Sequence, residues 1–355
     1  MRKKIGKVAR WLLVLILLGL TGLGFANARE AQRRSRPLTD AVLTPGQKAQ
    51  VAGALRLQHD LGDRIWPGFP GTAIPVILFN DGYEFLVGLA GAPAPWEAVP
   101  GDDVAGQPIH RRVAANPQSF AVPVGDGWAA SLGSLDLMNR ELFLGLRRDL
   151  PPVLAQLVPY PLVTVGPDFG KTALLHEMFH VHQAVRSPDR FAQAEELYRR
   201  HRGGYPYNDE AFAAAWDREG QLLAAAMKET DAGAVRRLVD EFLDVRSERR
   251  TRAALSPELT AMEQEREWLE GVALYVEMRG HAEAAAAGWE GFAPGLRWWQ
   301  TYLQNLKSEL GRRGGDQRFY MSGMAMAHLL DRLRPDWKEK VLESGMTLEQ
   351  LLREA

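Results

Sequence analysis

Cysteine is missing altogether from the 355 residues. Disulfides, thiolate metal sites and a cysteine nucleophile are therefore excluded, which leaves histidine and carboxylate as the realistic metal ligands. An excess of either charge is missing too: 43 basic and 44 acidic side chains give a formal net charge of -1. No global field then draws in nucleic acid or an anionic surface. There is no internal repeat, no long low-complexity tract and no sustained heptad pattern. The leader holds an apolar run, Trp11 to Phe25, shorter than the roughly 20 residues a bilayer-spanning helix needs. With 46% hydrophobic and 25% charged residues, the composition is that of an ordinary globular chain, one large domain or two modest ones.

That run is preceded by Arg2, Lys3, Lys4, Lys7 and Arg10 and followed by Ala26-Asn27-Ala28, a small-x-small pattern suited to signal peptidase. Residues 1–28 are expected to be an export signal, either cleaved or kept as an N-terminal membrane anchor, with the body periplasmic or extracellular. Residues 29–46 contain Arg33, Arg34, Arg36, Pro37 and Pro45 with few large apolar side chains, and read as a tether.

Residues 47–168 read as an α/β part with antiparallel strands. Ala73 to Phe79 and Tyr83 to Leu89 flank Asn80-Asp81-Gly82, where Asp-Gly is expected to supply the positive backbone angles of a tight hairpin turn. A second hairpin is expected from Ser119 to Val124 and Trp128 to Leu132, and a further strand from Leu162 to Val165. From residue 169 onward the pattern turns to long helices rich in Ala, Leu, Glu and Arg, interrupted near Pro188, Gly203, Pro206, Gly288 and Pro294. Sheet first and helices after predicts an α+β class: a small, mostly antiparallel sheet followed by a predominantly helical region.

Thr172 to Val185 contains neither Pro nor Gly and reads as a helix. Within it His176-Glu177-Met178-Phe179-His180 sets two histidines four residues apart, on one face, able to hold a single Zn2+ ion at about 2.0–2.1 Å. Glu177 beside them is the candidate general base, taking a proton from a zinc-activated water. His182 falls about 200° round the helix from His180, a core or supporting position rather than a ligand. Gln183 and Arg186 stand where a metzincin pattern needs Gly and His, so that subclass is excluded.

A third ligand is sought among later carboxylates. Glu263, Glu267, Glu270 and Glu277 share one helical face at 100° per residue, either a site or a wet surface. Gly271 suggests that this helix closely approaches the histidine helix, which favours Glu270 as ligand and leaves Glu277 or Glu267 to orient an imidazole N–H.

With Gln183, and with Glu270-Gly271-x-Ala273-x-Tyr275 downstream, the His176-Glu177-x-x-His180 segment resembles the gluzincin-type zinc peptidases of the zincin fold. The resemblance covers about residues 165–285 and rests on two short motifs. It implies that Glu270 is the third zinc ligand and that a peptide or protein is the substrate. It also implies a sheet edge strand beside the cleft, a part open to Trp128 to Leu132. Position 274 is Leu, where the gluzincin pattern carries an aspartate, so that residue's supporting role must be filled from elsewhere.

Tyr320, Tyr275 and His328 are candidates to donate a hydrogen bond to a developing oxyanion, with Tyr320 the first choice. His201 and His281 read as surface groups, Arg246 and Arg250 as partners of acidic neighbours, and Asp331 to Val341 as an amphipathic closing helix region anchored by Trp337. The function expected from these residues is peptide-bond hydrolysis by an exported zinc enzyme. The alternative is a non-catalytic envelope protein with a structural zinc site.

Overall fold

Turn chemistry sets out the sheet. In the computed structural model, which describes residues 2–292, 296–308, 310–312 and 315–355, strand β1 (Val76–Phe79) returns as β2 (Tyr83–Val87) in an antiparallel pair. The turn between them lacks the expected positive angles at Asp81 and Gly82. Instead Asn80 Oδ1 accepts from the N–H groups of Gly82 (2.9 Å) and Tyr83 (2.8 Å), a side-chain mimic of a backbone turn that makes them unnecessary. β3 (Glu97–Val104) and β4 (Gln107–Val113) form a hairpin the sequence reading did not identify, turning through Ala105 and Gly106, both at positive φ. The expected second hairpin is present as β5 (Phe120–Val124) and β6 (Gly127–Gly133).

The six strands lie in the order β3-β4-β2-β1-β6-β5. All pairs are antiparallel except β1 with β6. β6 therefore has a neighbour on each side, so Trp128 to Leu132 is not an edge; β5 is. No strand forms from Leu162 to Val165. Pro159 and Pro161 remove the N–H groups a ladder needs, and Tyr160–Leu162 closes as a 3-10 turn.

The helices are α1 (Arg2–Arg34), α2 (Pro45–Ile65), α3 (Leu135–Asp149), α4 (Pro152–Leu157), α5 (Pro167–Arg186), α6 (Pro188–His201), α7 (Glu210–Lys228), α8 (Ala232–Arg252) and α9 (Pro257–Arg266). A π-helical turn, Glu267–Gly271, joins α9 to α10 (Val272–Ala286), and α11 (Leu296–Ser308), α12 (Gln317–Leu333), α13 (Trp337–Glu343) and α14 (Leu348–Arg353) follow. The class is α+β, as expected. The expected interruption at Pro294 lies outside the described residues. Asp331 to Val341 is not one helix: α12 stops at Leu333 before Pro335 and α13 starts at Trp337, which is fully buried as the expected anchor. Among the described residues, no helix is long and apolar enough to cross a membrane.

Residues 29–34 are not a free tether but the end of α1. Arg34 is buried, and its Nη1 donates to the Asn139 carbonyl at 2.9 Å. Leu38 N–H donates to Asp81 Oδ2 at 2.6 Å, and Asn80 Nδ2 to the Asp40 carbonyl at 2.9 Å. Polar anchors thus strap down a segment with few large apolar side chains.

The main hydrophobic core runs from Leu43 to Leu352, with α5 threaded through it: every residue from 172 to 184 is buried, and a smaller cluster of Ile77, Leu86, Trp96, Val124 and Ala129 lies apart from it. α5 packs on the sheet at β5 and β6 and on α2 and α10. Two glycine contacts bring the later helices close. A Cβ on Gly271 would meet Gly323 Cα at 2.5 Å, and one on Gly280 would meet Leu175 Cδ2 at 2.5 Å. The expected approach of Gly271 to the histidine helix is therefore corrected: Gly271 meets α12, and Gly280 is the glycine against α5. Gly271→Ala is expected to destabilise the protein by about 1–2 kcal/mol, because backbone overpacking outweighs the ~1 kcal/mol gain in helix propensity. Denaturant unfolding of the variant measures it; unchanged stability would mean the two helices can separate at no cost.

Candidate metal centre

Because α5 is buried all round, its polar side chains must find partners inside the protein. His176 and His180 lie one turn apart with ring centroids 4.8 Å from each other. The π turn brings Glu270 to them: its Oε2 is 3.5 Å from His176 Nε2 and 3.3 Å from His180 Nε2. One ligand atom from each of the three buried residues can be chosen so that all lie within 4.8 Å of one another. Donor atoms around a tetrahedral ion with bonds of about 2.1 Å sit about 3.4 Å apart, so the Glu270 spacings suit a single zinc ion. His180 Nε2 and Glu270 Oε2 are fully buried and have no hydrogen-bond partner among the described residues. The donor set, two imidazoles and one carboxylate, matches a zinc site with a position left open.

The outward nitrogens are held from behind. His180 Nδ1 is 2.9 Å from Gln183 Oε1. Gln183 Nε2 donates to the Trp268 carbonyl (2.9 Å) and the Leu269 carbonyl (3.3 Å) in the π turn, so Oε1 must accept. His180 Nδ1 then carries the proton, and its Nε2 lone pair points at the cluster. His176 Nδ1 lies 3.3 Å from Glu277 Oε2. Of the two carboxylates expected to face an imidazole N–H, Glu277 is the one that does so. Glu267, the other candidate, is turned away to Arg246 (2.7 and 2.8 Å) and Ser322 (2.5 Å).

Glu270 Oε1 is also taken. It accepts from Arg266 Nη2 at 2.8 Å, and the same guanidinium reaches Asp316 (2.8 Å) and Glu195 (2.9 Å) and lies over the Tyr198 ring. Burial works against charge throughout this group, and the neighbours decide the outcome. For Glu270, His180 and Arg266 override burial and hold the carboxyl well below the usual carboxylate range. Burial lowers both imidazoles, but Glu270 and Glu277 lift His176 to about 10, while His180 stays below its ordinary value. One shared carboxylate supports one protonated ring. Burial, joined by Glu270 and Glu277, pushes Glu177 up to about 8 against the pull of His176, and its Oε2 has no hydrogen-bond partner among the described residues.

Tyr320 stacks parallel to His176 with centroids 6.0 Å apart, and burial beside the Glu270 carboxylate pushes its hydroxyl well above its ordinary range. A cavity of about 430 Å3 opens here, bordered by His176, Glu277, Tyr302 and Tyr320 among others. Phe120 on the edge strand β5 lies 4.7 Å from the His180 ring. The remaining donor candidates are elsewhere: Tyr275 gives its hydroxyl to Asp331 at 2.7 Å and packs on Trp66 and Trp337, with His328 edge-on to it. His182 sits in the core, bonded to Thr72 Oγ1 at 2.7 Å. His281 is not a surface group but buried, 3.3 Å from Asp168; His201 is half-buried. Arg246 pairs with Glu219 and Glu267, and Arg250 with Glu263 and Glu349; all are buried except Arg250, which is half-buried. The glutamate stripe is therefore no wet surface.

Sequence reasoning missed Arg266 and Phe120. Arg266 was detectable as an i,i+4 partner of Glu270; nothing in the local sequence marks Phe120. Comparison with known protein families, curated proteins and solved structures finds no match.

Burial pushes the His328 imidazole down to about 4 despite Asp331. It stays neutral in the fold but takes a proton near 6.5 when unfolded. The unfolded state thus binds more protons between these values, and stability, intact above them, falls with acidification by up to about 1.4 kcal/mol per pH unit. His328→Leu should shrink the loss between pH 7 and pH 5 in urea unfolding, whatever its effect at pH 7. An unaltered loss would show that this imidazole does not drive it.

Proposed function

We propose that this protein is an exported zinc-dependent hydrolase of peptide bonds, with His176, His180 and Glu270 as metal ligands and Glu177 as general base. The reading is carried by the convergence of two imidazole Nε2 atoms on one oxygen of Glu270, with His180 and Glu270 held from their far sides and Glu277 facing the far side of His176. A zinc ion held there would lower the pKa of a coordinated water to about 7 and polarise a substrate carbonyl. Glu177, desolvated and with an uncommitted oxygen, would ionise once a cation offsets the Glu270 and Glu277 carboxylates that raise it, and would then take the proton of the attacking water and deliver it to the leaving amine. Arg266 holds Glu270 by Oε1 and keeps Oε2 facing the imidazoles. Tyr320, at the cavity beside His176, is the donor assigned to the developing oxyanion. The free edge of β5 beside His180 supports a peptide lying extended along it. The basic and apolar leader supports export.

A second reading, a non-catalytic envelope protein with a structural zinc site, draws on the burial of all three ligands. Glu177→Gln separates the two. It is expected to retain one zinc per chain by elemental analysis and to lose about 10²–10⁴-fold of peptide hydrolysis. Full activity in that variant, or active wild-type protein free of metal, would remove the hydrolase reading.

The carboxylate behind His176 gives an independent check. Glu277→Gln should weaken zinc binding by about 10–100-fold in a chelator competition, without unfolding the apoprotein. Unchanged affinity would mean that Glu277 does not orient the ligand.

A further inference from the structure

Two apolar surfaces among the described residues have no cover within the chain, and they meet. The first is α1, on which Trp11, Leu15, Leu18, Leu20 and Phe25 are all exposed, Phe25 at 74%. A helix apolar on every side is at home in apolar surroundings, not in water. The second is at its foot: Val153 (71% exposed), Leu154 and Leu157 on α4, and Leu162 (81% exposed) in the turn that follows.

The junction between them is built. Asn27 is buried, and its Nδ2 donates to the carbonyls of Gln156 and Val158, both at 2.8 Å. Gly24 and Ala28 face Ala155 and Tyr160 across a shared cavity. Cutting the chain after Ala28 would remove Asn27 and strand those two carbonyls, so the contacts favour a leader that stays attached. The apolar stretch from Trp11 to Phe25 rises about 21 Å at 1.5 Å per residue, short of the ~30 Å hydrocarbon core. A helix that short draws its flanks toward the bilayer. The flank here is the apolar foot on α4, with exposed Arg147 bordering the junction cavity and exposed Arg33 near the end of α1. Arg2, Lys3, Lys4, Lys7 and Arg10 stand at the other end of the run. Cationic ends around an apolar middle complement anionic lipid, whereas a second copy of this surface would bring like charges together.

We propose that α1 is retained in the mature protein and that the α4 foot, with Leu154 and Leu162, dips into the headgroup region of an anionic lipid bilayer. The body is then attached twice and cannot swing freely about a tether.

The absence of native cysteine makes the test direct. Single cysteines replace Leu154, Leu162 or, as a control, the exposed Arg199 of α6 in the full chain, and each carries an environment-sensitive NBD label. Vesicles of phosphatidylcholine and phosphatidylglycerol are then added. Expected are a blue shift, an emission rise of about twofold or more and quenching by spin-labelled lipid at 154 and 162, with none at 199. Probes at 154 and 162 that behave like 199, or a chain that fails to float with the vesicles, overturn the proposal. A shift that grows with protein concentration in the absence of lipid assigns the face to a second copy and overturns it equally. So does a membrane-derived wild-type protein whose intact mass starts at Arg29. Metal content and hydrolysis do not enter these readouts, so the proposal stands or falls apart from the zinc reading.

Discussion

The interaction on which this structure turns is the burial of the Glu270 carboxylate against two imidazoles. A lone carboxylate taken out of water costs several kcal/mol, and Arg266 alone must also serve Glu195 and Asp316. The centre therefore calls for positive charge between the rings and the carboxylate. Glu270 and Glu277 favour a proton on His176, which meets part of that demand, and a divalent ion there would meet it too and release the proton. Gln183 bonded to His180, and Glu277 beside the outward nitrogen of His176, leave the inward faces of both rings open.

Beneath this centre lies a second charged layer. Arg246 and Arg249 on α8 are buried, and Arg250 half-buried, against Glu219, Glu263, Glu267 and Glu349. Despite burial, Arg249 and Arg250 hold Glu263 down to about 2, and Arg250 and Arg246 do the same for Glu349. The π turn joins the two layers. A regular helix would set all four stripe glutamates on one side; the wider turn lets Glu263 and Glu267 serve α8 while Glu270 and Glu277 serve α5. Such buried pairs add little net stability, but breaking one leaves an uncompensated charge, so they define the position of the turn more than they strengthen it.

Much of this was legible in the residues themselves. The hairpins at Asn80 to Tyr83 and at residues 125–127 announce themselves through turn chemistry, and the two histidines and Glu270 through spacing on their helices. Other features depend on contacts the local pattern does not carry. The β3–β4 hairpin is hidden by its polar content, including Glu97, Asp102, Asp103 and Arg111. The partner of Gly271 could not be read, because a glycine shows that something comes close but not what. Helical periodicity assumes an unbroken α-helix, so the π turn and the division of the glutamates were out of reach. The edge position of β5 follows from the parallel pairing of β1 with β6, a link between segments more than 50 residues apart in number alone.

The charged layer also has a consequence for timing. Glu349 on α14 meets Arg250 at 2.8 Å and lies 4.0 Å from Arg246, and α14 packs on α8 and α12. A nascent chain that has emerged only through α12 already contains every proposed metal ligand, yet Arg250 has Glu263 and still lacks its second carboxylate, Glu349. Full neutralisation of the charged layer is thereby coupled to the docking of α14 on α8 and α12.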